Sequence, residues 1–100
     1  MLINNAVFSS GRIAVVRFKQ EFNTPLIGEP TGSPVKAYGH IKELKLENKR
    51  FTVSTRFWDY SDIFGYDGGI QPDVLIPLTI EDVNNQKDSV LNYALDYLNN

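Results

Sequence analysis

The stretch AVFSSGRIAVVRFKQEF, residues 6–22, leads from a short apolar run into a helical pattern through two adjacent serines. A serine hydroxyl can accept a hydrogen bond from the free amides of a first helical turn, so Ser9 and Ser10 are both N-cap candidates and a helix is predicted over residues 9–22. Apolar residues at helical spacing predict its buried face: Ala14, Phe18 and Phe22, widened by Ile13 and Val16. Polar residues are expected on the opposite side: Arg12, Lys19 and Gln20. Pro25 ends the helix.

Short strand patterns lie on both sides of this helix. Leu2 and Ile3 form an apolar start that is typical of the end of a buried strand. Residues 37–58 alternate apolar and polar side chains and predict a β-hairpin with its turn at Asn48-Lys49. Residues 74–78 predict a further strand, which Pro77 assigns to a sheet edge because proline lacks an amide donor.

The closing segment predicts a helix that Asp88 caps. Its apolar face consists of Leu91, Ala94, Leu95 and Leu98. The resulting order, β-α-β-β-β-β-α with a central hairpin, is typical of an α/β or α+β layer structure. No repeat or linker divides the chain, so a single unit spanning residues 1–100 is predicted.

Composition and charge exclude several classes of site. The net charge is -2, so no basic nucleic-acid footprint is present. Cysteine is absent and His40 is the only histidine, which excludes disulfides, a cysteine nucleophile and a multi-histidine metal site within this chain. No apolar run reaches the ~18–20 residues of a membrane span, and no signal peptide opens the chain.

The serine pair carries the strongest chemical signal. At a strand-to-helix junction, the hydroxyl of Ser9 would point outward beside amides that carry partial positive charge. The N–H of Ser10 could then hold an oxyanion during acyl transfer. The structural alternative is an ordinary helix cap, which is the commoner role of a serine in this position.

Three further blocks follow the serine block in a defined order. They are Gly28-Glu29-Pro30-Thr31-Gly32, Gly69-Ile70-Gln71-Pro72-Asp73 and the start of the last helix at residues 87–91. From residue 2 to residue 98, this series resembles the C-terminal part of the catalytic domain of the C-terminal processing peptidases, or tail-specific proteases, and their tricorn-like relatives.

The resemblance implies a ClpP/crotonase-like fold and peptide-bond hydrolysis through an acyl-enzyme. It assigns the nucleophile to Ser9 and the oxyanion amide to Ser10. The implied substrate is a peptide or protein, and neither a cofactor nor a metal is expected. Members of the family are often exported or associated with the cell envelope, although this chain has no targeting segment to place it there.

The chain departs from the family pattern at the general base. The tail-specific branch has a lysine and then a glutamine after the Gly-Glu-Pro-Thr loop, where this sequence has Pro34 and Tyr38. Lys36 lies nearby but not at the matching position, so a Ser–Lys dyad is not supported. The tricorn-like branch uses a histidine from before the nucleophile strand and a downstream carboxylate, for which Asp67 is the candidate here. The structural alternative for Asp67 is a turn with Gly68.

His40 and the aromatic residues near the end of the hairpin each allow two interpretations. His40 invites pairing with Ser9, yet a surface histidine on a strand is the commoner case. Aromatic side chains after the hairpin are expected either to line a substrate groove or to cover a seam: Trp58, Tyr60 and Tyr66.

Two hypotheses about the whole chain follow. The first is a serine peptidase whose upstream half of the catalytic domain is missing from these residues, so that the isolated 100 residues are expected to be inactive or weakly active. The second is a non-catalytic truncated relative that acts as an oligomerising or interaction module. An unpaired sheet edge at residues 1–3 predicts pairing either with the missing half or with another copy of the chain.

Overall fold

The computed structural model describes residues 1–100. The elements in chain order are β1 (Leu2–Ile3), α1 (Ser10–Phe22), β2 (Ile27–Gly28), β3 (Lys36–Leu46), β4 (Lys49–Asp59), α2 (Ser61–Phe64), β5 (Val74–Leu75), α3 (Ile80–Asn84) and α4 (Ser89–Asn99). The chain is therefore a mixed α and β structure, as the sequence predicts. None of its helices combines the length and the apolar character needed to cross a bilayer.

A small parallel sheet organises the core. Its strand order is β1-β2-β5, and both neighbouring pairs are parallel. Helix α1 connects β1 to β2, which is the crossover that adjacent parallel strands require. The expectation that the strand over residues 74–78 lies at an edge is confirmed, although β5 is shorter than predicted because Pro77 cannot continue the ladder.

Helix α1 buries a different face from the one predicted. Arg12, Val15 and Val16 are its buried residues, whereas Phe18 and Phe22 are exposed. The physical reason is that the strands beneath α1 are only two residues long, so they cover one narrow stripe along the first half of the helix. The positions Arg12, Val15 and Val16 have the i, i+3, i+4 spacing of a single helix face.

The hairpin over β3 and β4 is confirmed, with its turn one residue earlier than predicted, at Glu47-Asn48. It projects from the sheet, so the molecule measures 60 × 33 × 21 Å. The radius of gyration is 17.4 Å, compared with roughly 13 Å for a compact chain of this length. Most of the hairpin therefore lies outside the core.

Two short helices, α2 and α3, add to the predicted element order. The sequence carried a signal for α3, because the hydroxyl of Thr79 and the carboxylate of Asp82 form a capping box at its start. The cap on α4 is confirmed, since the Leu91 amide donates to Asp88 Oδ1 at 2.9 Å. Its predicted apolar face lines a groove of about 300 Å³ against β1 and β2.

Asp73 joins the sheet to α1. Its carboxylate accepts hydrogen bonds from Lys19 Nζ at 2.8 and 2.9 Å and from the Leu26 amide at 2.7 Å. Partial burial alone would raise the pKa of Asp73, but these hydrogen bonds and the charge of Lys19 hold that pKa below its usual range. The Asp of the Gly-x-x-Pro-Asp block therefore has a structural role in this chain.

Candidate functional site

Ser9 adopts a strained backbone conformation at the start of α1. Its φ is 50° and its ψ is −119°. A positive φ is uncommon for a residue with a side chain, and this ψ lies far from the left-handed helical region. Such strain costs on the order of 1–3 kcal/mol and is concentrated at functional sites. The strained backbone therefore marks Ser9 as a candidate functional residue.

The hydroxyl of Ser9 does not cap the helix. Ser9 occupies the N-cap position of α1, but no side-chain hydrogen bond is made there. The first turn is closed by the main chain instead, with the Gly11 amide donating to the Phe8 carbonyl at 2.9 Å and the Ile13 amide donating to the Ser9 carbonyl at 3.2 Å. The helix-cap interpretation of the Ser9 side chain is wrong, because Ser9 occupies the N-cap position without a side-chain hydrogen bond to the first turn.

The loop after β2 holds the Ser9 segment in place. The Ser33 amide donates to the Val7 carbonyl at 3.1 Å. A side chain at Gly32 would lie 2.1 Å from the Asn5 carbonyl oxygen and 2.4 Å from the Phe8 ring. Only glycine allows the loop to pack this closely against residues 5–8. The Gly-Glu-Pro-Thr-Gly block therefore supports the segment that leads into Ser9.

The main-chain N–H of Ser10 is available to a ligand. It opens α1 and has no hydrogen-bond acceptor within the chain. The amino end of a helix carries partial positive charge, so this N–H favours a negatively charged oxygen. The predicted oxyanion donor is thus adjacent to the predicted nucleophile.

Ser9 and Ser10 open onto a cleft of about 340 Å³. Its other walls come from α1, from the loop after β2 and from the base of the hairpin, and include Phe8, Arg12, Ser33, Tyr38, His40 and Trp58. Aromatic walls around a few polar groups are typical of sites that bind organic ligands.

His40 lines the same cleft as Ser9. It has a φ of 52°, and the hydroxyl of Thr55 on the opposite strand donates to its carbonyl. The imidazole stacks against Trp58, with ring centroids 5.6 Å apart and planes 24° apart. His40 and Trp58 belong to opposite sets of the strand alternation, so their stacking depends on the left-handed backbone at His40, which departs from regular strand geometry.

Asp67, the candidate carboxylate, lies outside this cleft. Its Oδ1 pairs with Lys36 Nζ at 2.8 Å, and Lys36 also approaches Asp59 at 4.0 Å. The hydrogen bond to Asp67 raises the pKa of Lys36, which favours the protonated amine and argues against Lys36 as a displaced base. The structure does not bring Asp67 to Ser9, and its catalytic role stays a prediction.

Arg12 is the site residue that sequence reasoning missed. It was expected on the polar side of α1, but it is 2% exposed and its Nη1 donates to the Pro34 carbonyl at 3.0 Å. Its guanidinium carbon lies 5.7 Å from the centre of the Tyr60 ring. The long aliphatic stem of arginine permits such burial. The i, i+3, i+4 spacing of Arg12, Val15 and Val16 was the feature of the sequence that could have predicted it.

The aromatic residues separate into two roles. Trp58 is a wall of the cleft, whereas Tyr60 and Tyr66 pack against the core. The Tyr66 hydroxyl accepts a hydrogen bond from the Gln71 amide at 2.8 Å. Nowhere do three or more histidine, aspartate or glutamate side chains converge as they would around a metal ion.

Comparison with family models, with curated proteins and with solved structures yields no match for this chain.

Proposed function

We propose that the chain carries the nucleophile of a serine peptidase of the C-terminal processing type, with a ClpP/crotonase-like fold. The single observation that carries the proposal is the strained, uncapped Ser9 at the start of α1. Other hydrolase folds also expose a strained serine nucleophile at the start of a helix. An ordinary cap would instead have extended dihedrals and a bonded hydroxyl. The predicted strand-to-helix junction at Ser9 is wrong in one respect, because residues 4–9 form a loop between β1 and α1.

In the proposed reaction, Ser9 Oγ attacks the carbonyl carbon of a peptide bond. The carbonyl electron pair moves onto oxygen, and the Ser10 N–H stabilises the resulting oxyanion. His40 takes the Ser9 proton and returns it to the leaving amine as the carbon–nitrogen bond breaks. Water then attacks the acyl carbon. His40 takes a proton from the water and returns it to Ser9 Oγ as the bond between Oγ and the acyl carbon breaks, which releases the new carboxyl terminus.

His40 is assigned as proton acceptor because it is the imidazole of the Ser9 cleft. No hydrogen bond joins it to Ser9 in the free protein. Catalytic hydrogen bonds are often long or absent before substrate binds, so this geometry is compatible with the role. The family resemblance also implies a downstream carboxylate, and Asp67 remains the candidate for it.

Labelling with a fluorophosphonate tests the proposal. We expect a single adduct by intact mass, and peptide mapping is expected to locate it on Ser9 and on no other serine. The control is the urea-unfolded protein, which lacks the strained turn and is expected to remain unlabelled. An adduct on another serine, or no adduct on the folded chain, would contradict the assignment.

A second candidate function is an oligomerising module, and the hairpin favours it. One face of the hairpin carries exposed apolar side chains, including Tyr38 opposite Phe57 and Leu44 opposite Phe51. The other face is polar, with Arg50 paired to Glu43 at 3.5 Å. A two-stranded hairpin alone is marginally stable in water, so its apolar face calls for a covering partner.

We expect the chain to self-associate reversibly through this apolar face in sedimentation velocity. Phe51→Lys should weaken the association by about tenfold or more, because a charge in an apolar contact must be desolvated. Thr52→Lys is the matched control, since the neighbouring residue lies on the polar face. A monomer at every concentration, or equal effects of the two variants, would exclude association through this face.

A further inference from the structure

We infer that the hairpin of one copy of the chain docks in a cleft beside α3 of a second copy, so that the copies associate head to tail. This α3 cleft has a volume of about 590 Å³, and its walls include residues of β1, of α3 and of the loop between α3 and α4. The inference rests on the second candidate function and deepens it, because it names the surface that covers the apolar face of the hairpin. It requires no chemistry at Ser9.

The apolar face of the hairpin also carries positive charge. In the register of the two strands, Lys42 lies opposite Val53 and Lys49 lies opposite Leu46. Cross-strand partners share a face and the faces alternate along a strand, so both lysines lie on the apolar face. Glu43 lies on the polar face. Within residues 39–56, the apolar face therefore presents cations and no strand carboxylate.

The projecting part of the hairpin and the rest of the chain have opposite charges. Residues 39–56 contain five lysine or arginine residues and two glutamates, so their net charge is +3. The remaining residues contain five basic and ten acidic residues, so their net charge is −5. Pairing two hairpins face to face would bring like charges together, whereas docking on the body of a second copy brings opposite charges together. Charge therefore favours hairpin-to-body association.

The α3 cleft matches the hairpin in both charge and polarity. Its charged residues are three carboxylates and one amine: Glu29, Asp82, Asp88 and Lys87. Leu78 and Val83 belong to its apolar wall, and they are 61% and 60% exposed. A single copy thus leaves uncovered both an apolar arm with positive charge and an apolar cleft with negative charge. Complementary surfaces of this kind select their partner.

One copy keeps these two surfaces apart. The side-chain hydrogen bond and the ion pair of residues 39–56 both lie within the hairpin, from Thr55 to the His40 carbonyl and from Arg50 to Glu43. No such contact joins the projecting part to the cleft. Every copy offers one hairpin and one cleft, so head-to-tail docking continues past the dimer into a ring or a filament.

Two variants test the two surfaces separately. Val83→Lys places a cation in the cleft, and Phe51→Lys places one on the hairpin. Each is expected to weaken self-association by about tenfold or more in sedimentation velocity, because the new charge must be desolvated in an apolar contact. Ile80→Lys is the matched control for the cleft, since Ile80 lies on the same helix, is 82% exposed and is not part of the cleft wall.

Mixing the two variants distinguishes head-to-tail docking from hairpin-to-hairpin pairing. An equal mixture of Phe51→Lys and Val83→Lys is expected to form a dimer that neither variant forms alone, because the intact hairpin of one fits the intact cleft of the other. The dimer cannot grow, since its two remaining surfaces carry the substitutions. Hairpin-to-hairpin pairing would leave Val83→Lys associating like the wild type.

The salt dependence of the wild type needs no variant, so it decides even if a variant fails to fold. Raising the NaCl concentration from about 0.05 M to about 0.5 M is expected to weaken association several-fold, because salt screens opposite charges. Pairing of like-charged hairpins would instead strengthen.

Stronger association at high salt, a mixture that stays monomeric, or equal behaviour of Val83→Lys and Ile80→Lys overturns the inference and leaves the second candidate function standing. A wild-type monomer at every concentration overturns both. None of these results bears on fluorophosphonate labelling of Ser9, so they do not test the proposed peptidase.

Discussion

Replacing Gly28 by alanine is expected to cost most of the stability of the folded chain, about 3 kcal/mol or more. Gly28 ends β2 with a φ of 129°, which side-chain-bearing residues rarely adopt. An added Cβ would lie 2.1 Å from the Ile3 carbonyl oxygen, and that oxygen accepts the hydrogen bond of the Glu29 amide. The variant must therefore open the pairing of β1 with β2, on which the core is built.

Urea unfolding followed by circular dichroism measures this loss. Gly65→Ala is the matched control, because Gly65 also has a positive φ, of 76°, but an added Cβ there meets no atom within 4 Å. Backbone strain alone then accounts for its expected cost of about 1 kcal/mol. Similar midpoints for the two variants would show that the close approach of Gly28 to Ile3 does not limit stability.

Replacing Ser9 by alanine is expected to reduce hydrolysis of an activated p-nitrophenyl ester by about 10³-fold or more, to the level of the buffer. The substitution removes Oγ, to which the acyl group is transferred in the proposed reaction, and leaves the backbone of the turn unchanged. Ser10→Ala is the matched control, because the proposed reaction uses only the main-chain N–H of Ser10, which alanine keeps. A Ser9→Ala protein that retains ester hydrolysis would exclude Ser9 as the nucleophile.

The strain at Ser9 gives a readout that does not depend on turnover. Ser9→Gly is expected to be more stable than the wild type by about 1 kcal/mol, since glycine adopts a φ of 50° without steric cost. A gain in stability together with a loss of ester hydrolysis would show that the backbone strain at Ser9 is maintained at a cost to stability because the serine is needed for activity. A Ser9→Gly protein less stable than the wild type would show that the serine side chain supports the fold.

Much of the fold followed from local patterns in the sequence. The alternation of β3 and β4 predicted the hairpin because a strand exposes successive side chains on opposite faces. Asp88 predicted the start of α4 because its carboxylate can satisfy a first-turn amide. These signals depend on residues that are neighbours along the chain, so they can be recognised without knowledge of packing.

The burial of α1 could not be predicted in the same way. Phe18 and Phe22 form a convincing apolar stripe, but the sheet that would cover them is too small to reach them. Arg12 was assigned to solvent because of its charge, although its stem occupies the buried stripe. Which face a helix buries depends on the extent of its partner, and that extent is a property of the assembled sheet.

For the candidate site, the sequence by itself determined the serine pair, the glycine-rich loop and the order of the blocks, because residue identity carries that chemistry directly. Only the tertiary structure decided that Ser9 is strained and uncapped, that His40 and Arg12 share its cleft, and that Asp67 pairs with Lys36 instead. The reason is physical: backbone strain and long-range pairing arise only when segments distant in the chain are packed together, and no local pattern encodes them.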